Sequence, residues 1–177
     1  MKKIMFSDKF GLTKAVLEGR KTMTRRLPGK EWKDIMPGLI GQDLSKANTP
    51  FKVGEVVAVA QSYKEIHEKE NISPNEIFNR DYYEQTEGWT NKMFVRASLM
   101  YHHIRITNVR VERLQDISDE DCVKEGVWEA QQVNYTSIDG IPFSPCEAFA
   151  ALIDKVSGKG TWKSNPWVFV YEFELVK

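Results

Sequence analysis

The 177-residue chain has few of the residues that metal sites and disulfide scaffolds require: two cysteines and three histidines. Cys122 and Cys146 form neither a CxxC pair nor a zinc-ligand spacing, although spacing alone leaves a bridge between them open. His102 and His103 are neighbours, and on a strand neighbouring side chains point to opposite faces, which does not suit one shared ion. His67 stands alone in a polar stretch. We therefore predict reduced thiols, no bound metal and no cofactor.

Long apolar runs are also missing. No segment approaches the roughly 18 apolar residues of a membrane span, so we predict no membrane partner. The first ten residues, MKKIMFSDKF, contain neither an extended apolar segment nor a small-residue cleavage site, which favours a cytoplasmic protein. The fragments GKGTW and GRKT do not match the G-x-x-x-x-G-K-[ST] loop, which argues against a nucleoside triphosphatase.

The chain has no net charge, but its charges are unevenly distributed. Residues 1–33 hold ten Lys or Arg against three Asp or Glu, a net charge of +7, and residues 112–129 hold two against seven, a net charge of −5. The basic region is compatible with an anionic ligand. The alternative is that the two regions pack against each other and neutralise, and both interpretations stay open.

Strands alternate with loops and short helices in the first half of the chain. KKIMFS reads as a first strand, followed by a helix with Ser7 as its cap and Gly19 at its end. Residues 28–50 are rich in Gly, Pro and Asn and read as loop, and VGEVVAVAQSY reads as a buried strand. Residues 64–92 form a polar excursion, in which Ser73 begins a short helix. KMFVRA is predicted to be another strand.

The second half of the chain contains the strongest helix signals. HHIRITNVRVERL alternates as a strand whose pattern slips at Thr107–Asn108, indicating a bulge. Ser118 is predicted to cap a helix that ends at Gly126, and Ser144 to begin a helix through an S-P-x-E capping box. The apolar positions of that helix follow helical spacing: Phe149, Leu152, Ile153 and Val156. WVFVYEFELV reads as a closing strand.

Strands spread along the chain with isolated helices between them predict an α+β fold. A small β-barrel with peripheral helices fits this order, as one domain over residues 1–177 with a surface excursion at 64–92. Of the five tryptophans, we interpret Trp162 and Trp167 as packing near the last strand and Trp128 as covering a helix exit, although tryptophan also suits base stacking.

The stretch GRKTMTRR contains a dense group of cations and hydroxyls: Arg20, Lys21, Thr22, Thr24, Arg25 and Arg26. Cations after a helix often only complement its dipole. Lys21 and Thr24, however, are three residues apart and can face each other in a turn. A threonine hydroxyl needs a base to act as a nucleophile, and a lysine can be that base when its surroundings lower its pKa. A carboxylate would then orient the lysine or a water, and the acidic helix at 119–125 is the richest source.

This stretch resembles the G-x-K-x-x-[ET]-x-R signature of the ASCH domain, a relative of the PUA-like β-barrels. The resemblance continues through FKVGEVVAV, VRVERLQDISDEDCVKEGV and GKGTWKSNPWVFVYEFEL. These segments resemble a branch of the family found in bacterial and phage proteins. The resemblance does not cover residues 28–50 and 64–92. It implies a small PUA-like barrel with a central cleft lined by the K-x-x-T segment, and an association with RNA. One departure is Ala60–Gln61–Ser62, where many relatives have an Arg-Glu pair.

The resemblance also implies candidate catalytic residues. A small bacterial member of the family is an amidohydrolase that removes acyl groups from N4-acetylcytidine with a Lys, a Thr and a Glu. The first two correspond to Lys21 and Thr24. The closest counterpart of the third is Glu125, with Glu120 as the fallback. Other relatives cleave RNA.

We therefore predict binding of a nucleobase, nucleoside or RNA, with amide hydrolysis of an acylated cytidine-like substrate as the sharpest version. Thr24 would attack the acyl carbon, Lys21 would take its proton and Glu125 would orient Lys21 or a water. Arg26 would add positive potential for the oxyanion, and the substrate-binding set is Arg20, Arg25 and Arg26. The alternatives are a non-catalytic RNA-binding module, a ribonuclease, or a protein-interaction part with an unused cleft. The sequence leaves the oligomeric state open.

Overall fold

The computed structural model describes residues 1–68, 80–127 and 144–176. The strands are β1 (Lys3–Ile4), β2 (Met23–Arg26), β3 (Val56–Val59), β4 (His103–Arg113) and β5 (Trp167–Val176). The α-helices are α1 (Leu12–Leu17), α2 (Tyr63–His67), α3 (Arg80–Glu84), α4 (Asp119–Lys124), α5 (Pro145–Ser157) and α6 (Thr161–Ser164). Short 3-10 turns lie at Asp8–Phe10, Lys30–Trp32, Met36–Leu39, Glu87–Trp89, Lys92–Phe94, Ala97–Leu99 and Leu114–Asp116. The helix predicted from Ser73 and the role predicted for Trp128 lie outside the described residues.

The chain divides into two compact units. Unit 1 consists of Met1–Phe6, Val56–Ile104 and Val176–Lys177. In it β1 pairs in parallel with β3, with Ile4 opposite Val59. The Val59 amide donates to the carbonyl of His102, just before β4 (2.8 Å). The strands of this unit therefore follow the order β1-β3-β4. One cluster of its buried residues consists of Ala58, Ala60, Tyr63, Ile66, Val95 and Met100.

The strand predicted at KMFVRA is wrong, and a lysine explains why. Residues Lys92–Phe94 and Ala97–Leu99 form 3-10 turns instead. The Lys3 ammonium donates to the carbonyls of Lys92 (3.0 Å), Met93 (2.6 Å) and Val95 (2.7 Å). Successive carbonyls of an extended strand point in alternate directions, so converging on one ammonium requires a turn.

Unit 2 consists of Ser7–Glu55 and Arg105–Leu175. In it β2 pairs antiparallel with β5, placing Thr24 opposite Tyr171 and Arg26 opposite Phe169. The strand order in this unit is β4-β5-β2. Aromatic side chains of β5 fill the core, where Phe169 meets the ring of Trp32 edge-on at 5.2 Å.

The mixed α and β composition is confirmed, whereas the predicted closed barrel is wrong. Among the described residues, the strand order is β1-β3-β4-β5-β2, and the end strands β1 and β2 do not pair with each other. The two end strands are short, with two residues in β1 and four in β2. Closing a barrel requires the end strands to pair, and these offer few backbone groups for that purpose.

Two of the predicted helix starts are confirmed. The Ser118 hydroxyl accepts a hydrogen bond from the Asp121 amide, which caps α4. Ser144 and Glu147 form the predicted capping box at α5. The cap at Ser7 is wrong: its side chain makes no capping hydrogen bond, and Gly11 separates a 3-10 turn from α1 with a φ of 66°.

Burial along β4 and α5 follows most of the predicted pattern. Ile104, Ile106, Val109 and Val111 are buried, and two consecutive exposed residues, Thr107 and Asn108, mark the slip in alternation. In α5, Phe149, Leu152 and Ile153 are buried, but Val156 is 46% exposed. Val156 lies in the last turn of the helix, beyond the part that packs on the core.

The two cysteines lie against each other between α4 and α5, and we expect mild oxidation to join them. The Cys122 thiol donates to the Cys146 sulfur at 3.4 Å, and both thiols are free. Oxidised glutathione would accept the two hydrogen atoms and leave as two thiols, forming one internal bridge. Burial raises the pKa of both cysteines, so the reaction should be slow at neutral pH. Thiol titration and intact mass would measure it. A Cys146→Ser variant serves as the control, and two thiols that persist under oxidant would contradict the prediction.

Candidate functional site

The basic residues of GRKTMTRR lie in the turn that follows α1 and in β2. Gly19 takes a φ of 73°, and the amides of Arg20 and Lys21 both donate to the Ala15 carbonyl, at 2.8 and 3.0 Å. This closes the helix and turns the chain sharply before β2. The next amide, of Thr22, donates to the carbonyl of Lys124 at 3.0 Å, which joins the turn to the end of α4.

The Lys21 ammonium is enclosed by three oxygen acceptors. It donates to the Met23 carbonyl, the Glu125 carbonyl and the Glu125 carboxylate oxygen Oε2, each at 2.7 Å. The Lys21 residue is 2% exposed and Glu125 is 4% exposed. An ammonium has three N–H donors, and each has an acceptor here, so the arrangement of oxygens matches the charged form of Lys21.

The end of α4 places Glu125 beside Lys21. Glu125 directly follows the helix, and its amide donates to the Asp121 carbonyl. Gly126 then takes a φ of 81°, and a Cβ at this position would lie 3.3 Å from the Cβ of Lys21. A glycine therefore suits both the left-handed backbone and the close approach of the lysine stem.

Arg25 brings three carboxylates together. One of its terminal nitrogens donates to Glu112 (2.9 Å) and Asp121 (3.0 Å), and the other to Glu125 Oε1 (3.3 Å). The Arg25 side chain is fully buried. Glu125 therefore bridges Lys21 and Arg25 through its two oxygens. We refer to Lys21, Arg25, Glu112, Asp121 and Glu125 as the buried charge cluster.

Arg110 extends the buried charge cluster along β4. It donates to Asp121 at 2.7 Å and also contacts Glu112 and Glu172. Arg110 and Glu172 were not among the predicted site residues. Alternation along β4 already placed Arg110 and Glu112 on one face, but their partners on β2 and α4 come from distant parts of the chain.

Burial and ion pairing shift several pKa values in the cluster. Burial lowers the pKa of Lys21 and outweighs the opposing effect of Glu125. Burial alone would raise the pKa of Asp121, but the hydrogen bond from Arg25 and the nearby charge of Arg110 hold it below its usual value. The Asp121 carboxylate thus stays ionised well into the acid range.

Thr24 lies on the other side of β2 from Arg25, because side chains alternate along a strand. Thr24 is 4% exposed. Within the described parts of the chain, its hydroxyl makes no hydrogen bond, and none joins it to Lys21. Arg26 shares the face of Thr24, and burial lowers its pKa.

The remaining predicted residues lie apart from the cluster. Arg20 is at the surface, where it pairs with Glu18. Glu120, the fallback carboxylate, is exposed in the first turn of α4. Of the two alternatives, Glu125 is therefore the carboxylate that contacts Lys21. Gln61 lies in the segment Ala60–Gln61–Ser62, where many ASCH relatives were expected to have an Arg-Glu pair. Its side-chain oxygen accepts hydrogen bonds from the backbone amides of Tyr101 (2.8 Å) and His102 (3.3 Å) within unit 1.

The buried charge cluster compensates its own charges. Lys21 and Arg25 face three carboxylates, all of them from the acidic region 112–129 that balances the basic N-terminal region in the sequence. The interpretation that the two charged regions neutralise each other therefore holds for these residues. The residues that the structure describes contain no group of three His, Cys, Asp or Glu side chains arranged to hold a metal.

Among the described residues, no helix is both long and apolar enough to cross a membrane.

The chain matches no protein-family model and no curated protein sequence. Its structure is similar to the crystal structure of an ASCH domain from Lactobacillus crispatus JV V101, at 11% sequence identity and a TM-score of 0.40. The match covers 93% of this chain and 69% of that one. Similarity at this level does not define a common fold, so the site is interpreted from its own contacts.

Proposed function

We propose that this protein is an ASCH-type module that binds a nucleobase, nucleoside or RNA beside the buried charge cluster. The observation that carries the proposal is the contact between Lys21 and Glu125, 2.7 Å apart and 104 positions apart in the chain. Independently of any contact, the resemblance to the ASCH family points to Lys21 through its signature, and to Glu125 as the closest counterpart of the family's catalytic Glu, with Glu120 as the fallback. Their meeting in a buried site supports a common role.

The sharper version of the proposal is hydrolysis of an acylated cytidine-like amide. Thr24 supports it, because the residue is 4% exposed and its hydroxyl, which makes no hydrogen bond to the described residues, is available to a substrate. The Thr24 oxygen would bond to the acyl carbon, its proton would pass to a base, and the C–N bond would break as the amine leaves with a proton. Water would then release the acyl group from Thr24 as an acid.

Lys21 can act as that base only after releasing one of its protons. All three N–H groups are donated in the structure, and Glu125 Oε2 is the acceptor able to take one. Burial, which lowers the pKa of Lys21, favours this transfer, whereas Arg25 on the other oxygen of Glu125 opposes it by stabilising the carboxylate. Arg26 on the Thr24 face would stabilise the oxyanion.

We expect the wild-type protein to release cytidine from N4-acetylcytidine, and a Thr24→Val variant to release none. Valine keeps the shape of threonine and removes the hydroxyl, and no hydrogen bond to the described residues is lost, so the fold should be retained. Thr24→Ser keeps a hydroxyl and should retain turnover. Chromatography of the products measures the reaction, and circular dichroism checks the fold.

Turnover by Thr24→Val equal to that of the wild type would exclude Thr24 as the nucleophile. No turnover by the wild type would exclude the hydrolytic version and leave binding, which is tested with single-stranded RNA at two salt concentrations. RNA affinity should fall steeply as salt rises, because phosphate contacts release counterions, whereas binding of a neutral nucleoside should change little. If the protein binds neither RNA nor nucleosides, the proposal is overturned.

A further inference from the structure

A second site lies beyond the end of β2, in unit 2. A cavity of about 420 Å³ is lined there by residues that follow β2, by the end of β4, and by α6 with the start of β5. This volume lies within the range of pockets that hold small ligands, roughly 300–1,000 Å³. The cavity shares no residue with the buried charge cluster, so what it binds does not depend on the proposed function.

The apolar part of the lining suits a planar ring. It includes Leu27 and Trp167. The guanidinium of Arg113 lies over the Trp167 ring, 4.1 Å from its centre, and also donates to the Asn165 carbonyl at 3.1 Å. The guanidinium holds the Trp167 ring in place and covers one of its faces, so a base would stack on the opposite face.

The charged part of the lining suits an anion. Lys33 and Arg113 line the cavity, and none of the described residues that line it is acidic. Lys33 is exposed, and no hydrogen bond or ion pair joins its ammonium to the described residues. Its ammonium is therefore available to a phosphate or carboxylate, in contrast to Lys21 and Arg25, whose charges are already compensated.

Two hydroxyls further restrict the ligand. The Thr161 hydroxyl donates to the Gly158 carbonyl at 2.6 Å, and the Ser164 hydroxyl donates to the Thr161 carbonyl at 2.9 Å. Both O–H groups already donate to backbone carbonyls. The two hydroxyl oxygens can therefore act only as hydrogen-bond acceptors toward a ligand in the cavity. A ligand that carries N–H donors would satisfy them.

We propose that this cavity binds a mononucleotide whose base carries an exocyclic amino group. The base would stack on Trp167, its amino group would donate to Thr161 or Ser164, and its phosphate would contact Lys33. The site therefore prefers AMP to IMP and CMP to UMP, two pairs that differ in the exchange of an amino group for a carbonyl. Removing the phosphate, as in adenosine, weakens binding.

Titration calorimetry with AMP, IMP, CMP, UMP and adenosine tests this site. We expect AMP to bind, and Lys33→Glu to weaken its binding roughly tenfold or more, because a charge-assisted contact is replaced by repulsion. The matched control is Lys30→Glu, the same charge reversal three residues earlier on an exposed lysine outside the cavity lining, which should leave AMP binding nearly unchanged.

The possible results separate the parts of the proposal. Equal binding of AMP by Lys33→Glu and wild type would overturn the site, as would an absence of AMP binding at millimolar concentration. Equal affinity for AMP and IMP would overturn the role of the hydroxyls. If the protein binds RNA oligonucleotides but does not bind mononucleotides, the ligand of this cavity is a polymer and the proposed mononucleotide is wrong. Cytidine release from N4-acetylcytidine is measured separately, so failure here and failure of the proposed function are distinguishable.

Discussion

Replacing Lys21 with methionine is expected to lower the free energy of unfolding by about 3–5 kcal/mol, the usual cost of removing one partner of a buried ion pair. The change removes the ammonium and leaves the carbonyls of Met23 and Glu125, and one oxygen of the Glu125 carboxylate, without their donor in a buried site. Urea denaturation at neutral pH measures the loss. The control is Lys14→Met, an exposed lysine paired with Glu18 at 3.8 Å, which should cost well below 1 kcal/mol.

A double variant separates the charge pair from the packing. We expect Lys21→Met combined with Glu125→Leu to lose clearly less stability than the sum of the two single changes, because the second change removes the carboxylate that the first leaves unpaired. Strict additivity would contradict a direct interaction between Lys21 and Glu125.

Replacing Arg25 with methionine is expected to lower the free energy of unfolding at pH 7 by a similar or larger amount, about 3–5 kcal/mol. Arg25 is the one side chain of the buried charge cluster that contacts Glu112, Asp121 and Glu125 together. Without it, three neighbouring carboxylates repel one another in a buried site. An Arg105→Met variant, which removes an exposed pair with Glu174, is the matched control and should cost below 1 kcal/mol.

The effect of Arg25→Met should also depend on pH. In the wild type, the pKa of Asp121 is lowered from its usual value of 3.8, so its contribution is present above that pH and is lost as the pH falls through the lowered pKa. In the variant, protonation of the carboxylates relieves repulsion. As the pH falls from 7 through the lowered pKa of Asp121, the difference in unfolding free energy between wild type and variant should therefore shrink, with most of the change below pH 3.8. A difference that grows on acidification would contradict this account, and denaturation curves across that range measure it.

Local signals in the sequence predicted the elements that depend on local contacts. The caps at Ser118 and Ser144 were readable because the serine and its partner amide are three residues apart. The strand at KMFVRA was predicted wrongly because its conformation depends on Lys3, which is about 90 positions away in the chain. The open sheet was missed for a related reason, since the lengths of β1 and β2 are set by pairing and by the turns around them.

The amino-acid pattern alone was enough to predict the α+β composition, the helix starts at Ser118 and Ser144, the separation of charge between residues 1–33 and 112–129, and Lys21 as a residue to examine. The folded structure was needed to find that Glu125 rather than Glu120 contacts Lys21, that Arg25 is enclosed by carboxylates, and that Thr24 lies on the other face of β2. The difference lies in the distance along the chain over which each interaction acts. Caps and periodicity act over a few residues, whereas a buried charge is satisfied by whichever partners the fold brings within about 3 Å, and those partners are not adjacent in sequence.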